Sequence, residues 1–78
     1  MAEINLSKEA RALKLGNYEH YKGKKYRILR VVIHSETLEE LVLYQPLYGK
    51  RLLWVRPLKM FLEKVVVDGI LKPRFRKC

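Results

Sequence analysis

The clearest strand pattern in this chain is KYRILRVVIHSETLEELVLYQP, residues 25–46. Its first and last parts are rich in β-branched and aromatic side chains, which is the composition of strands. The polar segment His34–Thr37 between them contains residue types that hold turns through side-chain hydrogen bonds. We therefore predict two neighbouring strands, over residues 25–34 and 40–48, joined by a loop.

The rest of the chain repeats this pattern in short segments. Alternation breaks near Leu29 and Arg30, which predicts a bulge or twist typical of a small barrel. The pair Asp68-Gly69 is a strong hairpin turn. Further strands are predicted over residues 18–21, 52–55, 63–67 and 70–75. Five to six short antiparallel strands at about ten-residue spacing indicate a mainly β fold, and we predict a small SH3-like barrel.

A short helix is predicted before the strands. Ser7 is a favourable N-cap and Gly16 a favourable residue just past a helix end, so we predict a helix over residues 7–15. Pro57 fits the first position of a brief helical turn over residues 57–61. The expected organisation is an N-terminal helix in residues 1–15, a barrel domain in residues 16–75 and a basic tail in residues 76–78.

The charge of the chain is strongly positive. Its 78 residues hold 17 Lys and Arg against eight Asp and Glu, which gives a formal net charge of +9. This field favours anionic partners, namely nucleic acid, nucleotides, acidic proteins or acidic lipid headgroups. In the alternative, much of the charge only keeps the chain soluble. The length is that of one domain.

The compartment is predicted to be the cytoplasm. The single cysteine, Cys78, cannot form an intramolecular disulfide, and a chain without disulfides suits a reducing environment. No apolar run reaches the roughly 18 residues of a membrane span, so we expect no membrane partner. Residues 1–5 lack a basic region followed by an apolar stretch, so we expect no secretory signal.

Trp54 and Arg56 are the first candidates for a binding face. If Leu53 and Val55 face the core, alternation places Trp54 and Arg56 on the opposite face, as a stacking platform for a base or a Pro-rich peptide. If Trp54 instead faces inward, it is the largest core residue. Arg56 also has a structural alternative, an ion pair with a glutamate. The glutamates considered are Glu36, Glu39 and Glu63.

The tyrosines and the tail extend this candidate face. Most of the five tyrosines are expected to be half-buried packing residues of strands. Tyr18 and Tyr48 are predicted to be exposed. In the tail we expect Phe75 to be buried and Arg74 to be held in place. The other basic residues of the tail either lie on phosphates or fray in solvent.

His20, His34 and Glu36 give a weaker hypothesis, a metal site or an acid–base centre. The spacing in the loop after His34 matches no standard metal motif. In the alternative, His34 ends a strand, a nearby hydroxyl bonds the loop backbone, and Thr37 forms a capping box with Glu40. The chain contains no phosphate loop, nucleophile elbow or dinucleotide fingerprint, so no metal, cofactor or catalytic residue is predicted.

Five sequence blocks in one order resemble a known family. The blocks are Gly16-x-Tyr18-x-His20-Tyr21-Lys22-Gly23-Lys24-x-Tyr26, His34-Ser35-Glu36-Thr37-x-Glu39, Tyr44-x-x-Leu47-Tyr48-Gly49, Trp54-Val55-Arg56-Pro57-x-x-Met60-Phe61 and Arg74-Phe75. From Gly16 to Phe75 the chain resembles the family known as domain of unknown function 1653. The resemblance implies a small, mostly bacterial protein similar to β-barrel domains, and it brings no activity or residue role.

The leading functional hypothesis is a small basic binding module that contacts nucleic acid or a nucleotide through an aromatic and arginine face. The alternative is a protein- or peptide-interaction module that uses the same groove. A small enzyme or metal protein built on the histidines and Glu36 comes third. The chain is expected to be a monomer or a homodimer. The candidate ligand-binding residues are His20, Lys24, Lys25, His34, Glu36, Tyr48, Trp54, Arg56 and Arg74.

Overall fold

The computed structural model describes residues 5–78 and has a mainly β fold. The predicted N-terminal helix is present but shorter than expected, and residues 1–4 of the predicted helical segment lie outside the described residues. The elements are α1 (Lys8–Ala12), β1 (Gly16–His20), β2 (Lys25–Ile33), β3 (Glu40–Pro46), β4 (Trp54–Pro57), α2 (Leu58–Phe61), β5 (Lys64–Val67), β6 (Ile70–Pro73) and β7 (Phe75–Lys77). Within residues 5–78, no helix is both long enough and apolar enough to cross a membrane.

The strands form two antiparallel sheets. Strands β1 to β4 are a meander in which each strand pairs with the next, and β7 returns to pair with β1. The resulting five-stranded sheet has the order β4-β3-β2-β1-β7. Strands β5 and β6 form a separate hairpin around the predicted turn at Asp68-Gly69. The prediction of a mainly β, antiparallel architecture is confirmed, and β4 and β7 are the two edges of the large sheet.

The observed strands correct several predicted boundaries by a few residues, and the pairing confirms the bulge. The register between β2 and β3 shifts between Ile28 and Arg30, where the broken alternation predicted it. Pairing of β4 with β3 starts at Trp54, so the two leucines before it lie outside the ladder. The predicted final strand is divided at Arg74, whose N–H donates to the carbonyl of Glu63 (3.0 Å).

The hydrophobic core lies on one face of the large sheet. Ile28 and Val42, from neighbouring strands, are almost fully buried. Helix α1 contributes Ala10, and α2 contributes Leu58 and Phe61. Because helices this short do not persist alone in water, burial of these residues is what keeps both helices formed.

Tyr18 belongs to this core, so the prediction that it is exposed is wrong. Its ring lies edge-on to Phe61 with centroids 5.2 Å apart. The Tyr18 hydroxyl donates to the carbonyl of Lys14 (2.6 Å), so burial of the ring leaves no polar atom unsatisfied. Burial also raises the pKa of this hydroxyl. Phe75 is buried as predicted and stacks on Phe61 with centroids 4.6 Å apart.

Helix α1 is anchored to the sheet by Glu40, which does not form the predicted capping box with Thr37. The carboxylate of Glu40 accepts from both the N–H and the hydroxyl of Ser7, each at 2.7 Å. Ser7 in turn accepts from the N–H of Ala10 (3.1 Å), as an N-cap does. The bonds from Ser7 hold the pKa of Glu40 below its usual value. Thr37 instead accepts from the N–H of Glu39 (3.2 Å).

Candidate nucleic-acid interface

A groove lies beside the edge strand β4, on the same face of the sheet as the core. The register pairs Tyr44 with Trp54 and Val42 with Arg56, and directly opposed residues point to the same face. The groove has a volume of about 400 Å³. Its lining includes Tyr26, Tyr44, Tyr48, Lys50, Arg51 and Trp54.

Trp54 points to the core side of the sheet, yet its side chain remains 54% exposed. The reason is its place on an edge strand, because among residues 5–78 the buried core cluster includes no residue of β4. Leu53 and Val55 are also exposed. The assumption that these two residues face the core, from which Trp54 was placed on the opposite face, is therefore wrong. The inward direction of Trp54 therefore does not bury it, and its ring borders the groove.

Three tyrosines form one side of this groove. The ring of Tyr26 lies almost perpendicular to those of Tyr44 and Tyr48, with centroids 5.6 and 5.7 Å away. The hydroxyls of Tyr26 and Tyr48 are hydrogen-bonded at 2.8 Å. Burial, followed by this hydrogen bond, raises the pKa of Tyr26 to about 12. Tyr48 is exposed as predicted, and its position is fixed through Tyr26.

The sequence interpretation does not name Tyr26 and Tyr44 as groove residues, because most tyrosines are expected to pack within strands. Tyr26 lies opposite Pro46, and Tyr44 lies between Ile28 and Trp54 in the register. The sequence contains a clue in the even spacing of Tyr44 and Pro46 along one strand. The clue becomes useful only when the pairing of β3 with β4 is known.

Cations surround these rings. The ammonium of Lys24 lies 4.5 Å from the ring centroid of Tyr48. The guanidinium of Arg56 lies 5.4 Å from the centroid of Phe75 and 5.9 Å from that of Tyr44, within the range of cation–π attraction. Residues 41–62 contain four basic side chains and no acidic one. The potential along this edge is therefore positive.

Arg56 takes part in neither of the ion pairs found within residues 5–78. Those pairs join Arg74 to Glu63 (3.1 Å) and Arg76 to Glu19 (2.7 Å). Glu63, one of the predicted partners of Arg56, is thus bound by Arg74. Arg56 is half-buried against aromatic faces, which leaves its guanidinium without a competing carboxylate.

His20 lies at the end of β1 beside this cluster. Its ring is 5.0 Å from that of Phe75, and its Nδ1 accepts from the N–H of Lys22 (3.2 Å). Burial lowers the pKa of His20, and the charges of Arg56, Arg74 and Lys22 lower it further. These effects favour the neutral form of the imidazole, which lies in a region that favours anions.

Lys25 and Arg74 are not among the residues that line the groove. Lys25 begins β2, lies opposite Glu19 and is exposed. Arg74 is half-buried at the junction of β6 and β7, where Glu63 holds it in place as expected. The Nε of Arg74 is buried and has no hydrogen-bond partner within the described chain.

His34 and Glu36 are not among the residues that line the groove. They lie beyond the end of β2 at Ile33, roughly 23 Å along that strand from Tyr26 at 3.3 Å per residue. His34 Nδ1 accepts from the N–H groups of Glu36 (3.1 Å) and Thr37 (3.3 Å), so it shapes the loop. No group of three potential metal-binding side chains occurs within residues 5–78.

Comparison with known proteins assigns the family. A family model described as "Protein of unknown function (DUF1653)" matches residues 16–77. The chain belongs to this family. The crystal structure of a DUF1653 protein from Bordetella bronchiseptica is similar, with a TM-score of 0.81 and 31% sequence identity, over 88% of this chain and 91% of that chain. No curated protein matches the chain.

Proposed function

We propose that this DUF1653 protein binds single-stranded nucleic acid, with bases in the groove beside β4 and phosphates on its basic rim. The observation that supports this most directly is the exposed ring of Trp54 beside Tyr44 and Tyr48. Trp54 lies in residues 41–62, a stretch that contains four basic side chains and no acidic one. Aromatic platforms in a positive groove are the usual means of binding single strands.

Trp54 and Tyr48 supply exposed rings on which bases stack. A base stacked on an aromatic side chain contributes about 1–3 kcal/mol to affinity. The bond between the hydroxyls of Tyr26 and Tyr48 orders the Tyr48 ring before a ligand binds. Because less side-chain entropy is then lost on binding, the groove is prepared for a planar ligand.

In this proposal the phosphates contact the basic side chains around these rings, which are Lys24, Lys50, Arg51 and Arg56. Arg56 is the strongest candidate, because no carboxylate competes for it and because its charge already lowers the pKa of His20. Unpaired bases expose their faces to aromatic side chains, whereas bases inside a duplex do not. The arrangement therefore favours single strands over duplexes.

The fluorescence of Trp54 provides a direct test, since it is the only tryptophan of the chain. We expect short single-stranded RNA or DNA to quench this emission saturably, and affinity to fall as salt rises because phosphate contacts release counterions. Heparin serves as a polyanion without bases. Equal quenching by heparin and by oligonucleotides would show that the positive field alone drives binding, and the proposal would fail.

Substitutions of two equally exposed tyrosines test whether stacking in the groove, and not the loss of any surface ring, accounts for binding. Tyr48 in the groove is 42% exposed, and Tyr21 outside it is 40% exposed. We expect Tyr48→Leu to weaken oligonucleotide binding by about tenfold, in line with the loss of one stacked base, and Tyr21→Leu to leave it unchanged. Thermal unfolding checks that both variants remain folded. Equal effects of the two substitutions would remove the groove from the explanation.

A second candidate function is binding of an extended peptide at the same place. It is favoured by the open edge of β4, next to which residues 52–55 are each more than half exposed. A peptide strand added to such an edge gains main-chain hydrogen bonds. Salt distinguishes the two functions, because burial of apolar peptide side chains depends little on ionic strength.

The finer architecture and the location are also proposals. We propose that the two sheets form an SH3-like barrel, and the return of β7 to β1 supports this because it brings the last strand back to the first. We propose a cytoplasmic location because the only cysteine, Cys78, is free and the chain can form no internal disulfide.

A further inference from the structure

The hairpin of β5 and β6 carries apolar side chains that the rest of the described chain does not cover. Val66, Ile70 and Leu71 are 69%, 59% and 61% exposed, and every residue of β6 is exposed. The radius of gyration is 13.5 Å, against roughly 11.5 Å for a compact domain of this length. Since a lone two-stranded hairpin is marginally stable in water, additional packing would stabilise it.

The turn of this hairpin determines which backbone groups point outward. Asp68 and Gly69 have φ of 52° and 76°, the positive values that a type I′ turn requires. The turn bond joins Val67 to Ile70, and hydrogen-bonded and non-bonded pairs then alternate along the ladder. Lys64 and Val66 therefore direct their N–H and C=O groups toward the open edge of β5.

The two edges of the hairpin differ in their capacity to pair. On β6 the outward positions are those of Leu71 and Pro73, which lie opposite Val66 and Lys64. Pro73 has no N–H, so the β6 edge lacks one of the donors that a further strand requires. Nothing in residues 64–67 lacks a donor, and within residues 5–78 no further strand pairs with that edge. The β5 edge is the one available for pairing.

The hairpin is electrically neutral in a chain of charge +9. Residues 63–72 contain two acids and two bases, Glu63, Asp68, Lys64 and Lys72. A polyanion therefore gains little from this segment, and two copies of it can approach without local repulsion. The sequence is also self-complementary, because Lys64 and Asp68 stand at equal distances on either side of Val66.

We propose that β5 pairs antiparallel with β5 of a second copy of this chain, around a twofold axis at Val66. The N–H and C=O of Val66 in the two copies then bond each other, and Lys64 of each copy lies near Asp68 of the other. The product is a four-stranded sheet in the order β6-β5-β5-β6. Val66 and Leu71 are opposed in the hairpin and share a face, so the joined sheet has a continuous apolar stripe on that face.

The test is the mass of the full chain by light scattering and sedimentation over a range of concentrations. We expect a concentration-dependent dimer and, for Val66→Lys, a monomer at the same concentrations. The matched control is Val55→Lys, because Val55 is an exposed valine (52%) on the other apolar edge. Thermal unfolding shows whether each variant is folded. A wild-type chain that stays monomeric at the highest concentration would overturn the proposal, as would loss of the dimer in Val55→Lys alone.

Charge and hydrogen exchange test the register of the pairing. Lys64→Glu places like charges near each other twice per dimer, so we expect the dissociation constant to rise by roughly tenfold, with no change in Lys64→Arg. The Val66 amide should exchange more slowly with solvent as protein concentration increases. A dimer in which Val66 exchange is independent of concentration would assign the interface to another surface. This second measurement uses only the wild-type chain, so it decides the matter even if a variant fails to fold.

Discussion

The protein has two apolar strand edges whose charged surroundings differ. At β4, residues 52–55 are each more than half exposed, and residues 41–62 around them carry only positive charge. At β5, Val66 is 69% exposed, but residues 63–72 are balanced in charge. Exposed apolar edges are ready to pair or dock in both places. Under the two proposals, the charge around each apolar edge selects its partner, a polyanion at β4 and a second copy of the chain at β5.

The remaining edge of the large sheet shows what a protected edge looks like. Strand β7 is three residues long and ends in Arg76 and Lys77. Short edge strands with charged side chains discourage pairing with another chain. The contrast with Trp54 and Val55 in β4 indicates that the apolar character of that edge is not a general feature of this sheet.

The largest expected effect on oligonucleotide affinity comes from reversing charge at the β4 edge, compared with the same reversal at the hairpin. We expect Lys24→Glu together with Lys50→Glu to weaken oligonucleotide binding by about 100-fold at low salt, because two phosphate contacts become repulsive. The control is Lys64→Glu together with Lys72→Glu at the hairpin. It changes net charge by the same amount and should lower affinity by less than about threefold. Fluorescence anisotropy of a labelled oligonucleotide measures both.

Equal losses in these two double variants would show that only net charge matters. The groove would then have no role in binding, and the distinction between the edges would be limited to self-association. All four lysines are exposed, so neither double variant removes a buried contact.

Removing the exposed indole of Trp54 tests the contribution of a single groove side chain to oligonucleotide affinity. We expect Trp54→Ala to lower oligonucleotide affinity by about tenfold or more, from the loss of one stacking platform worth about 1–3 kcal/mol. Arg56→Ala should weaken binding as well. Leu71→Ala, at an exposed position of the hairpin, should not. If Trp54→Ala or Arg56→Ala abolishes the cooperative thermal transition, these side chains are structural and the functional assignment is wrong.

The smallest expected effect is in the titration of His20. Its pKa is lowered below 6.5 by burial and by nearby cations, so the unfolded chain takes up this proton first as the pH falls. The contribution of His20 to stability is therefore unchanged above pH 6.5 and is lost progressively as the pH drops below 6.5. We expect an oligonucleotide bound at Arg56 to raise the pKa of His20, because its phosphate neutralises the Arg56 charge that lowers this pKa.

NMR titration of the His20 ring protons, with and without oligonucleotide, measures this shift. Arg56→Ala provides the control, since it should raise the pKa of His20 in the free protein. A free-state pKa at or above 6.5 would contradict the positive potential assigned to this end of the groove.

Features fixed by neighbouring residues were predictable from the sequence. The bulge follows from the broken alternation at Leu29 and Arg30, and the hairpin follows from the turn residues Asp68-Gly69. Local pattern was sufficient because both features are set within a few residues. Most strand positions were found for the same reason, with errors of a few residues at their ends.

Features fixed by long-range pairing were not predictable. The exposure of Trp54 depends on β4 being an edge strand, which follows from the order of the whole sheet. Alternation could not decide its direction, because Leu53 and Val55 on either side are equally apolar. The burial of Tyr18 depends on Phe61, and the role of Glu40 depends on Ser7, each partner being distant in sequence.

The contact between Arg74 and Glu63 closes the base of the β5–β6 hairpin. The N–H of Arg74 donates to the carbonyl of Glu63, and their side chains form an ion pair at 3.1 Å. The chain therefore enters and leaves the hairpin at adjacent points, and β7 starts from a fixed position whatever lies between. Exposed loop tips such as the turn at Asp68-Gly69 are preferred sites of insertion. An insertion at this turn is therefore expected to lengthen the hairpin while the five-stranded sheet and its groove stay the same.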